Sequence, residues 1–294
     1  MTISPSLIGY IEGYLSVMQL RRDIPEDVKL RTKELAERIR GEMGLEQPKG
    51  GFTMKKLLLL MMLIPTTAWG EIQTTVGPEI SYIRYEEKGL PLGRDIIDVV
   101  ESGVMYGVHG TVEYTEKIYL ALDGKYSFGW VDYSGSGTID DIEDYMYEVR
   151  GLVGIPVKSF TFYTGYGYRY LNDDSSGKLT STGLFGYERE SNYHYVPVGL
   201  KFKGLRAEVD VLVKGKQISH LDAIDQFFPR LEHEQDSGAG VKVSYEFKRE
   251  FKSFNVTLTP FFRWWKIQTS KEHEGFIEPR NTSLEVGGGV LVRF

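Results

Sequence analysis

From Ile118 to Tyr133 apolar and polar side chains alternate. Ile118, Leu120, Leu122, Tyr126, Phe128 and Trp130 share one face, and Tyr119, Asp123, Lys125, Ser127 and Gly129 share the other. A period of two marks a β-strand, because successive side chains point to opposite faces of the backbone. The preceding segment repeats the pattern, with Val104, Tyr106, Val108, Val112 and Tyr114 against His109, Thr111 and Glu113. Further along, Tyr145, Tyr147, Val149, Val153 and Ile155 oppose Glu148 and Arg150. Ala207, Val209, Val211 and Val213 oppose Glu208, Asp210 and Lys214, and Ala239, Val241, Val243, Tyr245 and Phe247 oppose Lys242, Ser244 and Glu246.

Extending this reading predicts about ten strands, at 78–87, 100–114, 117–133, 143–157, 160–171, 193–203, 206–219, 238–248, 254–269 and 282–294. Eight remain if the first and last hairpins are misread. The connections near 115, 158, 204 and 251 are short. Those at 88–99, 134–142, 172–192, 220–237 and 270–281 are longer and carry Gly, Asp, Ser and charged residues. Short turns at one end and long loops at the other are the pattern of a closed, antiparallel transmembrane β-barrel, with short periplasmic turns and extracellular loops. A soluble lipocalin-like barrel has the same periodicity with its apolar face inside, and periodicity alone does not distinguish the two.

Two features favour the membrane. Tyr133, Tyr145, Tyr168, Tyr170 and Trp264 fall near the predicted outer strand ends, and Tyr114, Phe160, Phe247 and Phe294 near the inner ends. Paired aromatic girdles are what membrane interfaces select. The chain also ends Gly-Gly-Gly-Val-Leu-Val-Arg-Phe, with Val290, Val292 and the terminal Phe294 on one face. This ending resembles the assembly signal of bacterial outer-membrane β-barrel proteins. The resemblance implies export, escort by periplasmic chaperones, and insertion by the barrel-assembly machinery among outer-membrane lipid and lipopolysaccharide. It identifies no functional subfamily.

The N-terminal region differs in character. Met54, Lys55 and Lys56 precede an apolar run from Leu57 to Ile64, and Ala68-Trp69-Gly70 closes it. This is the layout of an export signal over 54–70, too short to cross a bilayer as a helix. The barrel is then expected over 71–294. Residues 1–53 read as a polar helical leader, out of place ahead of such a signal. Lys49-Gly50-Gly51 is codable as a ribosome-binding sequence, so Met54 is the expected initiator and 1–53 upstream sequence or a mis-assigned start.

Composition narrows the function classes. The 294 residues include no cysteine, which removes disulfide, thiolate-metal, lipid-anchor and thiol-nucleophile chemistry. A net charge of −6 gives no support for nucleic-acid binding. Mean hydropathy is −0.27, unlike a helical membrane protein and compatible with a barrel whose lumen is polar. No cofactor is expected, and the barrel reads as a monomer.

The predicted lumen carries Asp123, Lys125, Glu148, Arg150, Arg169, Asp210, Lys214, Lys242, Arg263 and Glu285. Opposite charges in so narrow an interior should pair, because an unpaired buried charge is costly. The expected role is therefore non-enzymatic: structural, surface-binding or narrow-pore. Omptin proteases resemble this chain in having ten strands, with acidic pairs and an Asp/His pair that activates water at the extracellular rim. That resemblance implies a rim hydrolase using Asp140, Asp141, His220 and Asp222, although the His-x-Asp order is reversed from the omptin arrangement. A Ser219/His220 deacylase is disfavoured because adjacent strand residues point apart. Glu232-His233-Glu234 and Glu272-His273-Glu274 offer His233 and His273 as an alternative zinc-type site. In loop 172–192, Leu184, Phe185 and Tyr187 precede Glu188-Arg189-Glu190, as an adhesive tip, an inward plug or a longer hairpin.

Overall fold

The computed structural model describes residues 72–92, 95–224, 230–251, 255–272 and 276–293. The expected leader and export signal lie outside them, as do His273 and Phe294. The strands are β1 Ile72–Leu92, β2 Asp95–Thr115, β3 Tyr119–Ser134, β4 Thr138–Val157, β5 Phe160–Asp174, β6 Glu188–Phe202 and β7 Leu205–Ser219. They continue as β8 Leu231–Glu234, β9 Gly238–Tyr245, β10 Phe247–Glu250, β11 Asn255–Ile267 and β12 Asn281–Arg293.

Successive strands pair antiparallel from β1 to β7, and β9 joins β7 to β11. The short strands β8 and β10 continue that same stave at its two ends, against β7 and β11 respectively. β12 then returns to β1, with Val76 opposite Val292 and Tyr85 opposite Ser283. The result is a closed barrel of ten staves. Closure leaves no long open edge, which a membrane requires of a sheet. The short turns suit their ends: Lys203 and Gly204 both have positive φ, 46° and 88°, the type I′ geometry that matches strand twist in a two-residue hairpin.

The ten expected strands are present, but two expected loops are not loops. Most of 88–99 and 134–142 is strand, so the first two hairpins stand taller than their turn-type residues suggested. Register shifts between Glu87 and Leu90, and between Val131 and Tyr133, absorb those residues. At the second shift Asp141 takes φ 55°, and its amide donates to Asp132 Oδ1 at 3.1 Å.

The apolar face is outside. Ile80, Tyr106, Phe128, Trp130, Val153, Phe162, Val209, Phe262 and Val290 are exposed, while Glu79, Asp123, Arg150, Asp210, Arg263 and Glu285 are buried. This is the reverse of a lipocalin-like barrel. On β7 the outward residues Leu205, Ala207, Val209, Val211 and Val213 form an apolar run before Lys214 and Lys216, close to the length a tilted strand needs to cross hydrocarbon. Outward aromatics bracket the apolar belt. At the long-loop side Tyr147 stacks on Tyr170 at 4.9 Å, and at the short-turn side Phe160 stacks on Phe202 at 4.4 Å. Tyr133 departs from the expected girdle. The alternation of β3 runs on unbroken, so Tyr133 shares the inward face of Ser127 and Val131 and packs on the cluster of Ile83, Met105, Val131, Ile139 and Ile142. Tyr195 lies flat within the barrel over Gly167, where an added Cβ would sit 2.3 Å from the ring.

Candidate functional site

The alternation that puts apolar side chains outside puts charges into the lumen, and three arginines tie the wall across its full width. In a ring of ten staves, β4 and β11, β2 and β7, and β1 and β6 are each five apart. Near the short turns, Arg206 of β7 reaches Glu113 of β2, Nη2 to Oε1 3.0 Å. At mid-barrel, Arg263 of β11 grips Glu148 of β4, Nη1 to Oε2 2.7 Å and Nη2 to Oε1 2.5 Å. Towards the long loops, Arg189 of β6 reaches Glu87 of β1 and Glu101 of β2, each at 2.6 Å. A forked guanidinium against a carboxylate is both the stronger and the more directional form of ion pair.

Between these struts further ion pairs cross the lumen. Arg150 donates Nη1 to Glu208 Oε1 at 2.6 Å and Nε to Asp123 Oδ1 at 3.0 Å. Lys125 bridges Glu285 and Glu79, the latter at 2.5 Å. Asp210 accepts from Arg263 at 3.2 Å. Tyrosines fill leftover acceptor positions: Tyr163 donates to Glu208 at 2.9 Å, and Tyr195 donates to Glu148. Arg169 lies over the Trp265 ring, 6.0 Å from its centroid. Lys242 lines a cavity near the short turns, together with Glu113, Arg206 and Arg293.

A second cavity lies under the long loops and is lined by Glu87, Glu101, Tyr133, Asp173, Tyr187, Arg189 and Glu278. Arg189 is the lone cation among these lining residues. Glu278, in the loop before β12 and outside the membrane-spanning part, accepts from Gln217. Burial and the neighbouring Glu87 hold its carboxyl well above the usual carboxylate range, against the opposing pull of Arg189.

All the expected lumen residues face inward except Lys214. The pairing passes from His194–Lys214 to Tyr195–Leu212, leaving Val213 as an extra residue on β7. That bulge reverses the alternation, so Val213 and Lys214 are both exposed on the outer surface. Glu79, Glu87, Glu101 and Arg206, absent from the expected lumen set, are pairing partners too, and Glu208 joins them from the polar face of β7. Their inward phase on each strand is the signal that marks them.

The rim residues do not form the expected Asp/His pair. Asp140 and Asp141 are exposed and accept Lys178 Nζ at their backbone carbonyls. His220 faces outward and bonds Glu190, Nε2 to Oε1 2.7 Å, with Glu188 at 4.0 Å. Asp222 is exposed in a single 3₁₀ turn. Ser219 is buried where His220 is not, as opposite strand faces require. His233 is buried on the inward face of β8, and His273, the other half of the alternative zinc-type site, lies outside the described residues. Loop 175–187 extends the β5–β6 hairpin, with Leu184 and Phe185 exposed and Tyr187 lining the cavity beneath.

No family model and no curated protein matches the chain. Among solved structures it is similar to the outer membrane protease OmpT from Escherichia coli, at 10% identity and a TM-score of 0.47, over 76% of this chain and 96% of that one. It is also similar to the translocator domain of the autotransporter NalP from Neisseria meningitidis, at 10% identity and TM-score 0.40, over 82% and 94%. Neisserial surface protein A matches at 10% identity and TM-score 0.30, over 76% and 97%. By its own architecture, closed, ten-staved, apolar outside and charged within, the chain is a β-barrel of the outer-membrane type.

Proposed function

We propose that the protein is a non-enzymatic, monomeric component of the outer membrane of a double-membraned bacterium. Its barrel is sealed to ions, and its working face is the long-loop end. The observation that carries this reading is the set of three diametric arginine–glutamate struts, stacked from the short turns to the long loops. Each strut spans the lumen, so an ion would have to displace a buried ion pair to pass.

Export directed by 54–70, chaperoned transit and assembly through Val290, Val292 and Phe294 belong to the same proposal, as do contacts with lipopolysaccharide. The Asp140/Asp141/His220/Asp222 arrangement of the rim-hydrolase alternative is not formed among the described residues, where His220 is engaged by Glu190. Conductance of the folded chain in a planar bilayer tests the reading. Silence, in a preparation shown to be folded by heat-modifiable gel mobility, is the expected result. Steady conductance that scales with salt would replace the seal with a pore.

A further inference from the structure

The contacts of His220 point to a chemistry that the lumen does not use. Glu188 and Glu190 are two apart on β6 and therefore share a face, the outer one. His220 follows β7 directly, and its backbone amide donates to the Glu188 carbonyl at 3.0 Å. The imidazole is thereby placed beside both carboxylates, and one ligand atom from each of the three residues lies within 4.8 Å of the others. A tetrahedral zinc ion with ligands at about 2.0–2.1 Å holds them about 3.4 Å apart. The observed separations from His220 Nε2, 2.7 Å to Glu190 and 4.0 Å to Glu188, bracket that value.

The far oxygens are already engaged by neutral donors on β5. Tyr170 donates to Glu190 Oε2 at 2.9 Å, and Asn172 donates to Glu188 Oε1 at 2.7 Å. Outer donors of this kind fix the orientation of metal-ligating carboxylates. No lysine or arginine pairs with Glu188 or Glu190 among the described residues, so two carboxylates face a single imidazole. We propose that Glu188, Glu190 and His220 bind a divalent cation of the zinc class on the outer surface, just beyond the Tyr147/Tyr170 aromatic stack. One nitrogen and two carboxylate ligands suit a borderline metal, and three protein ligands leave a position open to water. The site is independent of the sealed-barrel reading, since it lies outside the lumen and survives if the barrel conducts.

The test is titration of zinc(II) into the folded full chain in detergent micelles, followed by calorimetry, with cobalt(II) as a spectroscopic substitute. One equivalent should bind. His220→Ala, Glu188→Gln and Glu190→Gln should each weaken it at least about tenfold, while His233→Ala leaves it unchanged. On the wild type alone, zinc should protect His220 from carbethoxylation, read by peptide mass. Absence of stoichiometric binding, binding that survives His220→Ala or is lost with His233→Ala, or unchanged labelling of His220 would each overturn the assignment.

Discussion

Arg263 and Glu148 meet across the full width of the barrel, two nitrogens of one guanidinium on the two oxygens of one carboxylate. Both side chains are buried, at 2% and 1% exposure. Their burial decides how the pair behaves on substitution. Two charges removed from water gain little net energy from each other, but either one left alone retains the full desolvation cost. The pair is therefore worth more as a constraint on which staves face each other than as a source of stability.

Arg263→Met should cost about 3–5 kcal/mol, since it leaves Glu148 and Asp210 without their cation. Glu148→Met should cost a similar amount. The double variant should lose clearly less than the sum, because it removes both charges and leaves apolar volume in their place. Urea unfolding in lipid vesicles, followed by tryptophan emission, measures all three. Additive losses would mean that the two groups do not sense each other, and the mid-barrel strut would then be no strut.

The position of Lys214 gives a prediction that separates the strand phase read from sequence from the one the bulge imposes. Lys214→Cys, labelled with a small fluorophore, should be strongly quenched by a nitroxide lipid, and Ser127→Cys, facing the lumen, should not. Equal quenching at both positions would return Lys214 to the lumen and remove the bulge at Val213.

That case shows where the sequence stops being legible. Alternation is a local property, so the ten strands and the inward places of Asp123, Arg150, Asp210 and Arg263 could be read from it directly. A bulge adds one residue with no compositional mark, since Val213 suits either face, and everything beyond it changes side. The taller hairpins at Glu87/Leu90 and Val131/Tyr133 escaped for the same reason. Pairing across the lumen was legible only as a requirement. Which arginine meets which carboxylate depends on ring closure, a relation between residues as distant as Glu148 and Arg263. The Glu188/Glu190/His220 cluster needed the β6–β7 register, which brings a loop-edge histidine against a strand 30 residues upstream.

A last prediction concerns pH and the cavity under the long loops. Burial and Glu87 raise the Glu278 carboxyl well above its ordinary range. The folded state therefore keeps a proton that the unfolded chain releases near pH 4.5. With more protons bound in the folded state, stability falls as pH rises above the unfolded value and levels off once pH passes the folded one. The slope contributed by this group is at most about 1.4 kcal/mol per pH unit. Glu278→Gln keeps a neutral partner for Gln217 and removes the titration. Its unfolding midpoint should therefore vary less between pH 5 and 8 than that of the wild type, and the variant should be the more stable of the two at pH 8. If Glu278→Gln follows the wild type across that range, the carboxyl is ionised in the folded protein and Arg189 serves Glu87, Glu101 and Glu278 together.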